Sequence, residues 1–165
     1  MRSRVSAGIL LYRHREGDLE VLIAHPGGPF FGARGDGHWT IPKGEVEGDE
    51  ELIAVAVREF EEETGTPINA TPDDLIPLGE IVQKGGKLVL AWAAPGDLDP
   101  AAARSNRFTM EWPPGSGRYG DYPEIDEVVW LSPMDARRRI KSTQIPFIDR
   151  LEAALAERLS SPERG

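Results

Sequence analysis

Residues 42–66 read PKGEVEGDEELIAVAVREFEEETGT, and the fold expected of the whole chain follows from this stretch. Pro42 to Gly48 holds a proline and two glycines, the composition of a turn. Beyond it, residues compatible with a helix run without a break to Thr64. The spacing predicts a helix from about Asp49 to Thr64, with Asp49 as N-cap, Gly65 as C-terminal stop and Pro67 blocking continuation. On that helix Glu59, Glu62 and Glu63 stand at i, i+3 and i+4, within an arc of about 100°. Ile53, Ala56, Val57 and Phe60 take the opposite face and belong to a core, while Glu61 lies off the acidic arc and is expected to be solvated.

Three carboxylates on one face repel one another, by a few tenths of a kcal/mol per exposed pair and by more when partly buried. A hard divalent cation reverses that sign, because Mg²⁺ prefers oxygen ligands. Arg58 is placed to hold Glu62 from one turn away. Taken alone, a glutamate-rich helix is usually an ordinary solvated surface. The Pro42-Lys43-Gly44-Glu45 turn changes that weighting, because glycine lets backbone carbonyls and Lys43 come close to the helix.

Gly44, five residues, Glu50, seven residues, then Arg58-Glu59-Phe60-Glu61-Glu62-Glu63-Thr64-Gly65-Thr66 resembles the box that defines the Nudix hydrolase family. Each charged and glycine position is met in register. Phe60 and Thr66 depart in size and polarity at two apolar positions that concern packing. The resemblance implies a Nudix-type α/β/α sandwich, a mixed sheet between helices, with the box as a loop–helix–loop. It implies a hydrolase using Mg²⁺, with Mn²⁺ as a substitute, that cuts the pyrophosphate bond of nucleoside-diphosphate-linked compounds. Glu59, Glu62 and Glu63 match metal-binding and base positions, and the backbone carbonyl of Lys43 matches a further metal ligand. Gly44, Glu50, Arg58 and Gly65 match structural positions. A second carboxylate outside the box serves as base in some members. Glu124 resembles that position, Glu127 competes with it, and a merely solvated loop acid is the alternative to both. The run from Trp39 to Gly44 and the later run from Lys87 to Trp92 are loosely similar to MutT-like proteins near the diadenosine-polyphosphate hydrolase branch. That tilts the expected substrate toward nucleoside tri- and polyphosphates. The alternative is a catalytically silent nucleotide-binding or sensing module of the same fold.

The rest of the chain is consistent with this. Its 165 residues suit one domain, 1–165, and contain no cysteine, which removes disulfides and thiolate sites and fits a reducing, cytoplasmic setting. The net charge of −9 repels nucleic-acid backbones, so duplex binding is not expected, and it demands local positive charge for a small anionic substrate. The apolar run Val5 to Tyr12 is too short for a membrane span and is followed by Arg13, so it reads as a strand rather than a leader. Homodimers are common by base rate, so self-association is an open expectation.

Strands are expected at 4–13 and Leu19–His25 around a Glu16-Gly17-Asp18 turn, briefly at Trp39–Ile41, at Leu78–Gln83 and Lys87–Ala94, at Arg107–Trp112 and at Val128–Leu131. Residues 26–37, 95–106 and 113–123 read as loops. Ser132 should cap a helix over 133–142, and a last helix over 146–160 carries the stripe Phe147, Leu151, Leu155 and Leu159. Lys43 and Lys87 are candidate phosphate contacts; the residues around Lys87 exclude a Walker A loop. Trp39 either walls a base pocket, as a substrate-binding residue, or packs under the turn. Phe30 and Phe31 cover a pocket or pin their loop; Trp112 and Tyr119 stack on a base or anchor theirs; Glu111 is a spare metal candidate.

Overall fold

In the computed structural model, which describes residues 4–29 and 35–160, the strands are β1 (Val5–Arg15), β2 (Asp18–Pro26), β3 (Lys43–Glu45), β4 (Ile76–Val82), β5 (Leu88–Pro95), β6 (Arg107–Glu111), β7 (Tyr119–Pro123) and β8 (Ile125–Leu131). The helices are α1 (Leu52–Thr64), α2 (Pro133–Arg139) and α3 (Ile145–Ser160). One sheet runs in the order β4-β5-β1-β2-β8, with β3 added beside β1. The β1–β5 pair is parallel and the other pairs are antiparallel, so the sheet is mixed, as expected.

The continuous apolar run of β1 is explained by burial on both faces. Ala7, Ile9 and Leu11 pack with Val55, Ala56 and Phe60 of α1, while Leu10 and Tyr12 pack with Phe147, Ile148 and Leu151 of α3. Helices therefore cover both sides of the sheet, and α1 lies over β1 with the β3 turn at its flank. No described helix is long and apolar enough to cross a membrane.

Several boundaries move for local reasons. Helix α1 begins at Leu52 rather than near Asp49, and Glu51 precedes it without a side-chain cap. The Glu50 carboxylate turns back to accept from the Glu47 amide at 3.1 Å, closing a turn where the first helical residues were expected. Val55 is fully buried, whereas Ile53 and Val57 are only partly so. Trp39–Ile41 makes isolated bridges, Ala24↔Thr40 and Trp39↔Ile140, and the true strand forms one step later at β3. The segment read as the loop 113–123 contains β7, which pairs with β6 as a separate two-stranded sheet. Strand β8 starts at Ile125, three residues before the expected Val128. Helix α2 stops at Arg139, and a 3-10 turn at Ser142–Gln144 leads into α3. The α3 stripe fades outward: Phe147 and Leu151 are buried, Leu155 is partly buried and Leu159 is 88% exposed. Phe30 and Phe31 lie outside the described residues.

One buried polar side chain ties loops of both halves together. Gln144 is fully buried; its Oε1 accepts from the Ile41 amide at 3.0 Å, and its Nε2 donates to Thr40 Oγ1 at 2.9 Å and Gln83 Oε1 at 2.8 Å. Leucine has similar volume and offers none of these bonds. Gln144→Leu would leave the Ile41 amide and the Thr40 hydroxyl short of partners in a dry place, at a cost of about 1–3 kcal/mol. The expected result is a melting temperature lower by roughly 2–10 °C, measured by calorimetry, with Gln144→Glu intermediate.

Candidate metal and catalytic site

The box folds so that its carboxylates press on the turn in front of them. Lys43 and Gly44 pair with Gly8 and Ala7 of β1, which fixes the turn against the sheet. The Glu59 side chain lies directly against Gly44: a Cβ there would stand 2.1 Å from Glu59 Cδ, so only glycine fits. Glu63 Oε1 accepts from the Lys43 amide at 3.3 Å, and Glu63 is only 8% exposed. Burial first, and then the charges of Glu59 and Glu124, raise the Glu63 carboxyl to about 8. Burial and the neighbouring Glu62 raise that of Glu59 as well.

Arg58 gathers the outer carboxylates. It pairs closely with Glu50, and lies 3.5 Å from Glu59 Oε1 and 3.7 Å from Glu62 Oε1. Glu50 and Arg58 thus link the entry loop to the acidic face. Gly65 ends the helix with φ 78° and donates to the Glu61 carbonyl. Glu61 is exposed, as expected.

Glu124 reaches this cluster through backbone bonds that the sequence did not disclose. Residues 104–106 run along the C-terminal turn of α1, where the Arg104 amide donates to the Thr64 carbonyl and the Asn106 amide to the Glu62 carbonyl, both at 2.8 Å. The Asn106 carbonyl then accepts from the Glu124 amide at 2.9 Å. Glu124 is the single residue joining β7 to β8, held by strands on both sides rather than by a loop. Its carboxyl is raised by burial, and its charge in turn raises Glu59 and Glu63. Glu127, the competitor, lines with Glu63 and Ser105 a small cleft of about 110 Å³.

The donor set suits a hard cation: all oxygen, in excess negative charge, with the carboxyls of Glu59 and Glu63 raised first by burial and then by neighbouring acids. The side chains do not, however, close on one point. Among the described residues no three Asp, Glu or His groups form a ready-made cage. In this arrangement Arg58 and the Lys43 amide occupy the carboxylate oxygens that a cation would take.

Positive charge gathers at the same turn. Lys87 Nζ is 3.8 Å from Glu45 Oε1, and burial together with the ammonium groups of Lys87 and Lys141 lowers Lys43 to about 8. Lys141 was missed by the sequence reading, since no motif marks it. Trp39 is 5% exposed and packed edge-on against His25 in the core, which favours the packing reading over a pocket wall. The Glu111 carboxylate accepts from the Gly115 and Gly117 amides at 2.9 and 3.1 Å, which makes it a loop clamp and not a spare metal ligand. Tyr119 is 70% exposed at the start of β7, and Phe108 packs on Tyr122 across the β6–β7 pair.

The raised Glu63 carboxyl carries a stability signature. Between its ordinary 4.5 and about 8, the unfolded chain ionises this group while the folded protein keeps the proton. The native state then binds more protons, so this group's contribution to stability is fully present below 4.5 and is lost as pH rises through that window. Metal-free protein should lose melting temperature from about pH 5 to 8 relative to Glu63→Gln, by roughly 2–4 °C per kcal/mol of lost stability. Divalent cation should shrink the loss; parallel melting curves for the two proteins would contradict it.

Comparison with known proteins bears on the family and the fold. A family model described as the NUDIX domain matches residues 2–151. Among solved structures, a Caenorhabditis elegans Ap4A hydrolase binary complex is 23% identical with a TM-score of 0.62, covering 92% of this chain and 98% of that one. The NUDIX domain of Shewanella oneidensis NrtR, complexed with ADP ribose, is 15% identical with a TM-score of 0.65, covering 94% and 90%. A MutT protein from Methanosarcina mazei Go1 is 20% identical with a TM-score of 0.59, covering 93% and 95%. No match was found among curated proteins. At these identities the structures establish a shared fold. The family model spans most of the chain and takes in the Lys43–Gly44 turn on which Glu59 and Glu63 press, and the chain belongs to the NUDIX domain family.

Proposed function

We propose that this protein, acting as one domain, is a divalent-metal-dependent hydrolase of nucleoside tri- or polyphosphates, dinucleoside polyphosphates included. The observation that carries the reading is the buried Glu63, crowded by Glu59 and Glu124 and seated on the Lys43 amide. Such a cluster is electrostatically unfavourable by itself and becomes favourable around a cation.

Glu59, Glu62 and Glu63, with the Lys43 carbonyl, would hold Mg²⁺, or Mn²⁺ in its place. When bound, the ion neutralises phosphate charge and lowers the pKa of water. The protein's own groups do the rest. Lys43 and Lys87 bind the phosphates and set the reacting phosphorus against the acidic face. Glu124, with its raised carboxyl pKa, is poised as the base that takes a proton from the attacking water, and Glu127 is the alternative. Holding water and phosphate in line supplies much of the rate. One similar structure, an Ap4A hydrolase, supports the dinucleoside-polyphosphate class.

A nucleotide panel with Mg²⁺, read by phosphorus NMR, tests the activity and the bond cut. Glu62→Gln and Glu63→Gln should each lower kcat/KM by roughly 10²–10³-fold, with the fold kept by circular dichroism. Full activity in both variants would sink the metal role. Tight nucleotide binding without turnover in Mg²⁺ or Mn²⁺ would point instead to a silent binding module.

A further inference from the structure

Three lysines from three separate segments meet beside the box. Lys43 belongs to β3, Lys87 precedes β5, and Lys141 lies between α2 and α3. Backbone bonds bring the segments together: the Lys141 amide donates to the Trp39 carbonyl at 2.8 Å, and the Gln83 amide donates to the Lys87 carbonyl at 2.7 Å. The fully buried Gln144 then locks residues 40–41 to Gln83, three positions on from Lys141. The cluster is thus a built feature of the fold, not a chance meeting of surface side chains.

Its electrostatics are costly as they stand. All three lysines are partly buried, and the Lys87 ammonium acts on both Lys43 and Lys141. Glu45 is 3.8 Å from Lys87, but among the described residues no carboxylate forms an ion pair with Lys141. A chain with net charge −9 has acids to spare for neutralising this spot, yet leaves it cationic. A bound polyanion would offset the repulsion. Two lysines are enough to meet the two phosphates joined by a cleaved bond. A third suits a further phosphate, whereas a neutral sugar in that place would leave Lys141 without a partner.

We propose that Lys141 is a specificity-determining residue that binds a phosphate beyond the two joined by the cleaved bond, selecting tri- and polyphosphates over diphosphate compounds that end in a neutral sugar. This rests on the hydrolase reading for its setting, but the binding preference is measurable without turnover.

The probes are inorganic tripolyphosphate and pyrophosphate, titrated by calorimetry and phosphorus NMR into wild type, Lys141→Ala and Lys141→Arg. Lys141→Ala should weaken tripolyphosphate about tenfold and pyrophosphate much less, with Lys141→Arg largely restoring the preference. With nucleotides, the ratio of kcat/KM for ATP over ADP ribose should fall about tenfold in Lys141→Ala, through KM. Equal weakening of both inorganic probes, or of neither, would overturn the proposal, and unchanged melting temperatures would exclude misfolding as the cause. A Lys141-dependent tripolyphosphate preference in a protein that hydrolyses no nucleotide would refute the hydrolase reading and leave this one standing. Nucleotide hydrolysis with tripolyphosphate binding indifferent to Lys141→Ala would do the reverse.

Discussion

The structure of the site depends on one constraint: the carboxylates of Glu59 and Glu63 are packed onto the backbone of the Lys43–Gly44 turn. Glu59 occupies the space a side chain at position 44 would need, and Glu63 takes the Lys43 amide. Both contacts pull acidic groups out of water and toward each other. A carboxyl in that position keeps its proton far above the ordinary carboxylate range. The fold therefore holds negative charge where it is least comfortable, and that is where a cation gains most.

The sheet makes the contact possible. Strand β1 is buried on both faces, and it carries β3 along one part of its edge while α1 packs across it. Helix and turn are thus referenced to the same strand. The C-terminal turn of α1 passes its free carbonyls to residues 104 and 106, which carry Glu124 to the cluster from a distant part of the chain. Gln144 gathers the segments that bear Lys87 and Lys141. Acidic and basic groups both end up near Lys43, an arrangement suited to a substrate that brings its own negative charge.

What could be read from the sequence was what the local pattern encodes. Helical spacing alone put Glu59, Glu62 and Glu63 together and turned Glu61 away, and the register from Gly44 to Gly65 identified the family. The core strands were legible because β1, β2 and β5 are apolar runs bounded by turn residues. Features set by long-range bonds were not legible. The start of α1 moved because the Glu50 carboxylate caps Glu47, a competition that spacing does not reveal. Strand β7 hid within a glycine- and proline-rich segment because its partner β6, and not its own composition, makes it a strand. Gln144 and Lys141 carry no motif, and their place follows only from hydrogen bonds to residues about 60 to 100 positions away. Trp39 read as a pocket wall or, ahead of that, as core packing, and its burial favours the second.

The central claim is that the acid cluster is a cation site kept partly protonated by burial and by its own crowding. Calorimetric titration of Mg²⁺ into the protein at pH 7, repeated in two buffers of different ionisation enthalpy, measures the protons exchanged on binding. A carboxyl held at about 8 must give up its proton to become a ligand, so binding should release close to one proton per Glu63, and Glu63→Gln should abolish that release. Mg²⁺ binding with the same heat in both buffers, or no binding at all, would contradict the account.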